Sequence, residues 1–91
     1  MIRRDGQHLL IEGPVTLATH VALRDAAATL FGADDLAIDW SGVKAVDSSA
    51  VALILHWQRT AAALGREVKQ LNLPSSVTAL AELYGVGELI A

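Results

Sequence analysis

The hydrophobic and polar positions of the chain alternate in short segments typical of strands, separated by longer stretches with helical spacing. Asp5-Gly6 lies between two short apolar or alternating segments, and both residues tolerate positive φ, so we predict an antiparallel hairpin that ends at Gly13-Pro14. Apolar residues then recur at three- and four-residue spacings in three stretches, each closed by glycine. The predicted strands are Met1 to Arg4, Gln7 to Glu12, Leu36 to Trp40 and Glu67 to Leu73; the predicted helices run from Thr16 or Thr19 to Phe31, from Ser49 to Gly65 and from Val77 to Tyr84.

Alternation of strands with helices indicates an α/β domain with a mixed sheet and right-handed crossovers. With 91 residues, 53% of them hydrophobic, the chain has material for one core and no room for a second domain. Seven basic against ten acidic side chains give a net charge of −3, which argues against nucleic-acid binding. Neither a signal peptide nor an apolar run of about 20 residues is present, so we expect a soluble intracellular protein.

Asp47-Ser48-Ser49 is the most informative segment, because it leads into the second predicted helix. The free N–H groups of the first helical turn point toward Ser48, so a negative group or a docking partner is favoured there. Helix capping by one of the serines, worth about 1 kcal/mol, is the alternative and is compatible with such a role. A phosphate on Ser48 would add a charge of about −1.5 to −2, which the helix favours and Asp47 opposes.

Catalytic and metal-binding chemistry is not supported by the remaining polar residues. No Gly-x-Ser-x-Gly motif surrounds the two serines, and His56 lies roughly 11 Å further along the same helix. The three histidines, His8, His20 and His56, are scattered, and the chain has no cysteine, so no metal-ligand set is formed. We therefore predict no enzymatic activity, no cofactor and no metal.

The two tryptophans are candidates for the core, which is the default position for an indole in a small domain. Of the two, Trp57 on the second helix is the better candidate for an exposed contact with a partner, because aromatic residues are enriched at interface centres.

The order of elements, the strand Leu36 to Trp40, the motif Val46-Asp47-Ser48-Ser49-Ala50 and the following helix together resemble the STAS domain family over nearly the whole chain. The segments 38–41, 46–48, 52–57 and 79–86 are most similar to the MlaB branch of that family. The resemblance implies a single STAS domain at residues 1–91, with helices packed mainly on one face of the mixed sheet.

In the MlaB branch, the hydroxyl residue after the aspartate contacts the ATPase subunit of a phospholipid ABC transporter. The resemblance carries this role onto Ser48. It implies an MlaF-like ATPase as partner, contact with the permease through that ATPase, and a cytoplasmic location at the inner membrane only through the complex. The partner-binding residues implied on this chain are Asp47, Ser48, Ser49, Ala50 and Ala52.

A second branch of the family contains anti-sigma factor antagonists, which are phosphorylated on the serine after the aspartate. This alternative makes Ser48 a phosphoacceptor that controls binding to a kinase. The chain departs from that branch at Ala50, where a glycine is usual and where we expect the methyl group to crowd a partner, and at Gly13-Pro14-Val15-Thr16, where an acidic turn is usual. Both departures favour the transporter branch.

Overall fold

The computed structural model describes residues 1–32 and 34–90, which form four strands and four helices. In chain order these are β1 (Ile2–Asp5), β2 (His8–Val15), α1 (His20–Ala28), β3 (Leu36–Val46), α2 (Ser49–Ala63), β4 (Val68–Leu71), α3 (Ser75–Leu83) and α4 (Gly87–Ile90).

One mixed sheet contains the four strands in the order β1-β2-β3-β4. β1 and β2 form the predicted antiparallel hairpin, in which Ile2 pairs with Ile11 and Asp5 pairs with His8. Gly6, with φ +61°, supplies the left-handed conformation that the tight connection requires. β2 to β3 and β3 to β4 are parallel pairs, so each of these connections contains a helix. The predicted α/β fold with a mixed sheet is confirmed.

Two strands are longer than the sequence pattern indicates. β2 continues through Gly13-Pro14 to Val15, and β3 continues through Ser41-Gly42 to Val46, with two irregularities in their pairing. A Cβ atom at Gly42 would lie 2.8 Å from the Ile11 carbonyl oxygen, so glycine here permits close approach of neighbouring strands. The prediction that this strand ends at Trp40, before Ser41-Gly42, is wrong for this reason.

The helices agree with the predictions except at their ends. α1 stops at Ala28, where the Leu30 N–H shares the Ala27 carbonyl with the Phe31 N–H and tightens the last turn. α2 ends at Ala63, shortly before Gly65, whose φ of +69° closes the helix. α4 was not predicted, because a four-residue helix is too short to show a periodic pattern.

The core lies between one face of the sheet and the helices. Alternate residues of β3 are buried, as expected for a strand with one face covered. Trp57 of α2 is 1% exposed and packs against Trp40 with ring centroids 6.4 Å apart and planes at 59°. Trp57 is therefore not an exposed contact, and both indoles belong to the core, which is their default position. Among the described residues, no helix has the length and apolar character needed to cross a membrane.

Candidate functional site around Ser48

The junction between β3 and α2 places the Asp47-Ser48-Ser49 segment at one edge of the sheet. The Asp47 N–H donates to the Val15 carbonyl at 3.3 Å, which ties the junction to the end of β2. Ser48 already has helical backbone angles, φ −62° and ψ −18°. The Ala50 N–H donates to the Asp47 carbonyl and the Val51 N–H to the Ser48 carbonyl, so the first turn of α2 begins at Asp47.

The Asp47 carboxylate connects the start of α2 with the turn before α1. Its Oδ1 accepts hydrogen bonds from the Ser49 N–H at 2.9 Å and from the Ser49 hydroxyl at 2.5 Å. Its Oδ2 accepts a hydrogen bond from the Leu17 N–H at 2.9 Å. Asp47 is thus the capping residue of α2 and at the same time fixes the backbone of a second segment.

These hydrogen bonds favour the ionised form of Asp47. The Ser49 hydroxyl, followed by the backbone N–H groups of Leu17 and Ser49, lowers the pKa of Asp47 below its ordinary value of 3.8. A carboxyl group with a depressed pKa in the folded state stabilises the fold above its unfolded pKa. That contribution is lost as the pH falls through the folded-state pKa.

We therefore expect Asp47→Asn to lower the free energy of unfolding at pH 7, because an amide NH2 cannot accept the Leu17 hydrogen bond. The difference between wild type and variant should persist down to about pH 4 and shrink below it, as the wild-type carboxylate takes up its proton. Urea unfolding followed by circular dichroism between pH 2.5 and 7 measures this difference. Asp25→Asn, at an exposed carboxylate of α1, is the control. A difference that is the same at every pH would contradict the assigned role of the carboxylate.

The two serines have different environments. The Ser49 hydroxyl is committed to Asp47, whereas Ser48 makes no side-chain capping bond and is exposed. The predicted alternative, that a serine caps the helix, is therefore corrected. The carboxylate of Asp47 accepts the hydrogen bond from the Ser49 N–H and is the cap instead. Within the described part of the chain, the Ser48 hydroxyl has no hydrogen-bond partner, which leaves it available to a second molecule.

Ala50 and Ala52 lie on opposite sides of α2. Ala52 is exposed, whereas Ala50 is 0% exposed and belongs to the hydrophobic core. The side chain of Ala50 therefore cannot touch a partner at this surface, although the predicted contact includes it. Because its methyl group points into the core, the expectation that Ala50 crowds a partner at the helix start is also corrected.

The exposed end of this junction is a shallow, open depression, which we call the Ser48 surface. It is lined by Leu17, His20, Asp47, Ser48, Ser49 and Ala52. The sequence analysis did not identify Leu17, whose side chain is 74% exposed. The sequence does contain a signal that Leu17 is exposed, because this leucine precedes the helix and lies outside the apolar stripe of α1.

The three histidines do not form a metal site. His8 begins β2 and is exposed, His20 begins α1, and His56 lies within α2. In residues 1–32 and 34–90, no group of three or more His, Cys, Asp or Glu side chains is placed to hold a metal ion.

Comparison with known proteins assigns the fold to a family. A family model described as "Mlab, STAS domain" matches residues 1–91. The chain belongs to the STAS domain family. Its resemblance to the MlaB branch is thereby confirmed. A comparison with curated proteins gives no match.

Solved structures share the STAS fold at low sequence identity. One, described as "Structure of the Anti-Sigma Factor Antagonist SpoIIAA in its Unphosphorylated Form", has a TM-score of 0.75 and 16% identity, with 100% of this chain and 84% of that chain covered. Another, described as "Crystal Structure Analysis of Mglu", has a TM-score of 0.60 and 22% identity, with 81% of this chain covered. This chain covers only 19% of the second protein. At such identities the likeness supports the fold alone.

Proposed function

We propose that this STAS domain is a non-enzymatic subunit that docks onto the ATPase of an Mla-type phospholipid ABC transporter and regulates or stabilises it. The observation that carries the proposal is the match of the "Mlab, STAS domain" family over residues 1–91. The Ser48 surface is the proposed contact, with Ser48 at its centre and Asp47, Ser49 and Ala52 around it.

The geometry of the Ser48 surface supports a docking role. The exposed Ser48 hydroxyl lies at the N-terminal end of a fifteen-residue helix that is held in the core by one face, so its position is fixed before a partner arrives. A preorganised contact loses little conformational entropy on binding. The domain changes the activity of an ATPase only as far as it binds one conformational state of that subunit more tightly than another.

The proposed location follows from the partner. We place the domain in the cytoplasm, at the inner-membrane face only through the ATPase and, beyond it, the permease. Any membrane association is then a property of the complex and should disappear when the ATPase is removed.

Co-purification tests the proposal. The full chain, tagged and produced at native level in its own host, is isolated in mild detergent, and the captured proteins are identified by mass spectrometry. We expect an ABC ATPase and a permease in proportion to the domain, and their absence when the ATPase gene is deleted. Capture of a histidine-kinase-like protein in place of the transporter subunits would overturn the proposal.

The second candidate function is a phosphorylation-controlled antagonist of an anti-sigma kinase. It is favoured by one observation, that the Ser48 hydroxyl is exposed and has no hydrogen-bond partner among the described residues, as a phosphoacceptor requires. The same preparation discriminates between the two functions, because the mass of the peptide containing Ser48 shows whether a phosphate is present. An unmodified peptide together with transporter subunits would exclude this second function.

A further inference from the structure

Leu17 combines an exposed apolar side chain with a backbone that is fixed on both sides. Its N–H donates to Asp47 Oδ2 at 2.9 Å, and its carbonyl oxygen lies 3.1 Å from His20 Nδ1. The side chain nevertheless remains 74% exposed, beside Ser48 on the Ser48 surface. The fold therefore holds a leucine rigidly in a place where it buries little surface of its own.

Rigidity makes this leucine suited to binding. Association costs less conformational entropy when the contacting segment is already ordered, and the apolar area of a leucine favours association once water is removed from it. A leucine that is exposed on a flexible loop must be ordered on binding and therefore lacks this saving in conformational entropy. The exposed Leu83, at the end of α3, is a leucine away from the Ser48 surface and is available for comparison.

The charge around Leu17 indicates the chemistry of the partner. Asp47 is the single Asp, Glu, Lys or Arg among the residues that line the Ser48 surface, and its carboxylate already accepts three hydrogen bonds. The rest of the lining is apolar or hydroxyl-bearing, with His20 at the side. Such a surface complements an apolar pocket that has a hydrogen-bonding group at its rim for Ser48, and it offers little to a strongly charged partner.

We propose that Leu17 is the apolar anchor of the docking surface, inserted into an apolar pocket of the ATPase subunit, and that Asp47 is a positioning residue that holds Leu17 beside Ser48. The inference rests on the proposed function for the identity of the partner. It also changes the role assigned to Asp47, from a residue that contacts the partner to one that acts indirectly, by holding Leu17 and the start of α2 in place. The docking surface thus combines the turn before α1 with the first turn of α2.

A matched pair of variants tests the anchor. Leu17→Ala and Leu83→Ala make the same change at leucines that are 74% and 77% exposed. The affinity of each full-length variant for the purified ATPase subunit is measured by isothermal titration calorimetry. We expect Leu17→Ala to weaken binding about tenfold and Leu83→Ala to leave it within twofold of wild type. Equal affinities for Leu17→Ala and wild type, or an equal loss in both variants, would overturn the inference.

A double-mutant cycle tests the positioning role of Asp47. If Asp47 acts through Leu17, then Asp47→Asn weakens docking in the wild-type background and has a smaller effect in the Leu17→Ala background. Hydrogen exchange of the Leu17 N–H should also become faster in Asp47→Asn, while amides in the middle of α2 lose only the protection that the lower free energy of unfolding accounts for. Additive losses in the cycle would assign Asp47 a contact of its own and contradict the positioning role.

The outcomes separate this inference from the proposed function. If the wild-type chain binds the ATPase and Leu17→Ala binds equally well, the anchor is wrong and the function stands. If the wild-type chain binds no ATPase, both are overturned, because the inference commits to that subunit as the occupant.

Discussion

Replacement of Ser48 by glutamate is expected to separate docking from folding. The affinity for the ATPase subunit should fall by roughly 30-fold or more, because an unpaired charge left in a desolvated contact costs about 2 kcal/mol or more. The isolated domain should unfold at the same or a slightly higher denaturant concentration. Ser48 is exposed, and a negative charge at the N-terminus of α2 gains about 0.3–1 kcal/mol from the helix dipole.

Ser76→Glu is the matched control for this prediction. Ser76 is an exposed serine in the first turn of α3, so the substitution adds the same charge near the N-terminus of another helix. Calorimetric titration with the ATPase subunit, together with urea unfolding, gives both quantities for each variant. Loss of structure in Ser48→Glu would show that the residue stabilises the fold, and equal affinities for the two glutamate variants would remove Ser48 from the contact.

The sequence predicts a candidate site at Ser48 because the signal for it is local. A serine pair between a strand and a helical stretch marks the junction without any knowledge of distant contacts. What the sequence did not reveal depends on residues 30 positions apart: the carboxylate of Asp47 accepts a hydrogen bond from the Leu17 N–H, and this contact joins the turn before α1 to the start of α2. The burial of Ala50 is likewise a matter of which helix face meets the sheet.

The order and type of the strands and helices could be predicted from the sequence, but their end residues were predicted less well. Gly42 illustrates the reason, because glycine is typical both of turns and of places where two backbones approach closely. Only the position of the Ile11 carbonyl, 2.8 Å from where a Cβ atom would lie, distinguishes the two cases. The sequence leaves Trp57 open between core and interface for a related reason, because an aromatic residue near polar neighbours on a helix is compatible with both.

Trp57→Ala is expected to cause the largest loss of stability. The side chain is 1% exposed and packs against Trp40, so its removal leaves a cavity in the core and should cost about 3–5 kcal/mol. Domains of this size are stable by only about 5–14 kcal/mol, so a substantial part of the free energy of unfolding is lost. Urea unfolding followed by far-ultraviolet circular dichroism measures the loss.

Phenylalanine substitutions at the two tryptophans are the controls for Trp57→Ala. The Trp40 Nε1–H donates to Gln70 Oε1 at 2.7 Å, whereas Trp57 Nε1 has no hydrogen-bond partner in the described part of the chain. Trp40→Phe thus removes a hydrogen bond and leaves an acceptor without its donor, and Trp57→Phe removes a buried group that was unsatisfied. We expect Trp57→Phe to be the less destabilising of the two, and to leave docking unchanged. Weaker docking by a folded Trp57→Phe domain would restore Trp57 to the partner contact, because a buried core residue should not affect the Ser48 surface while the fold is intact.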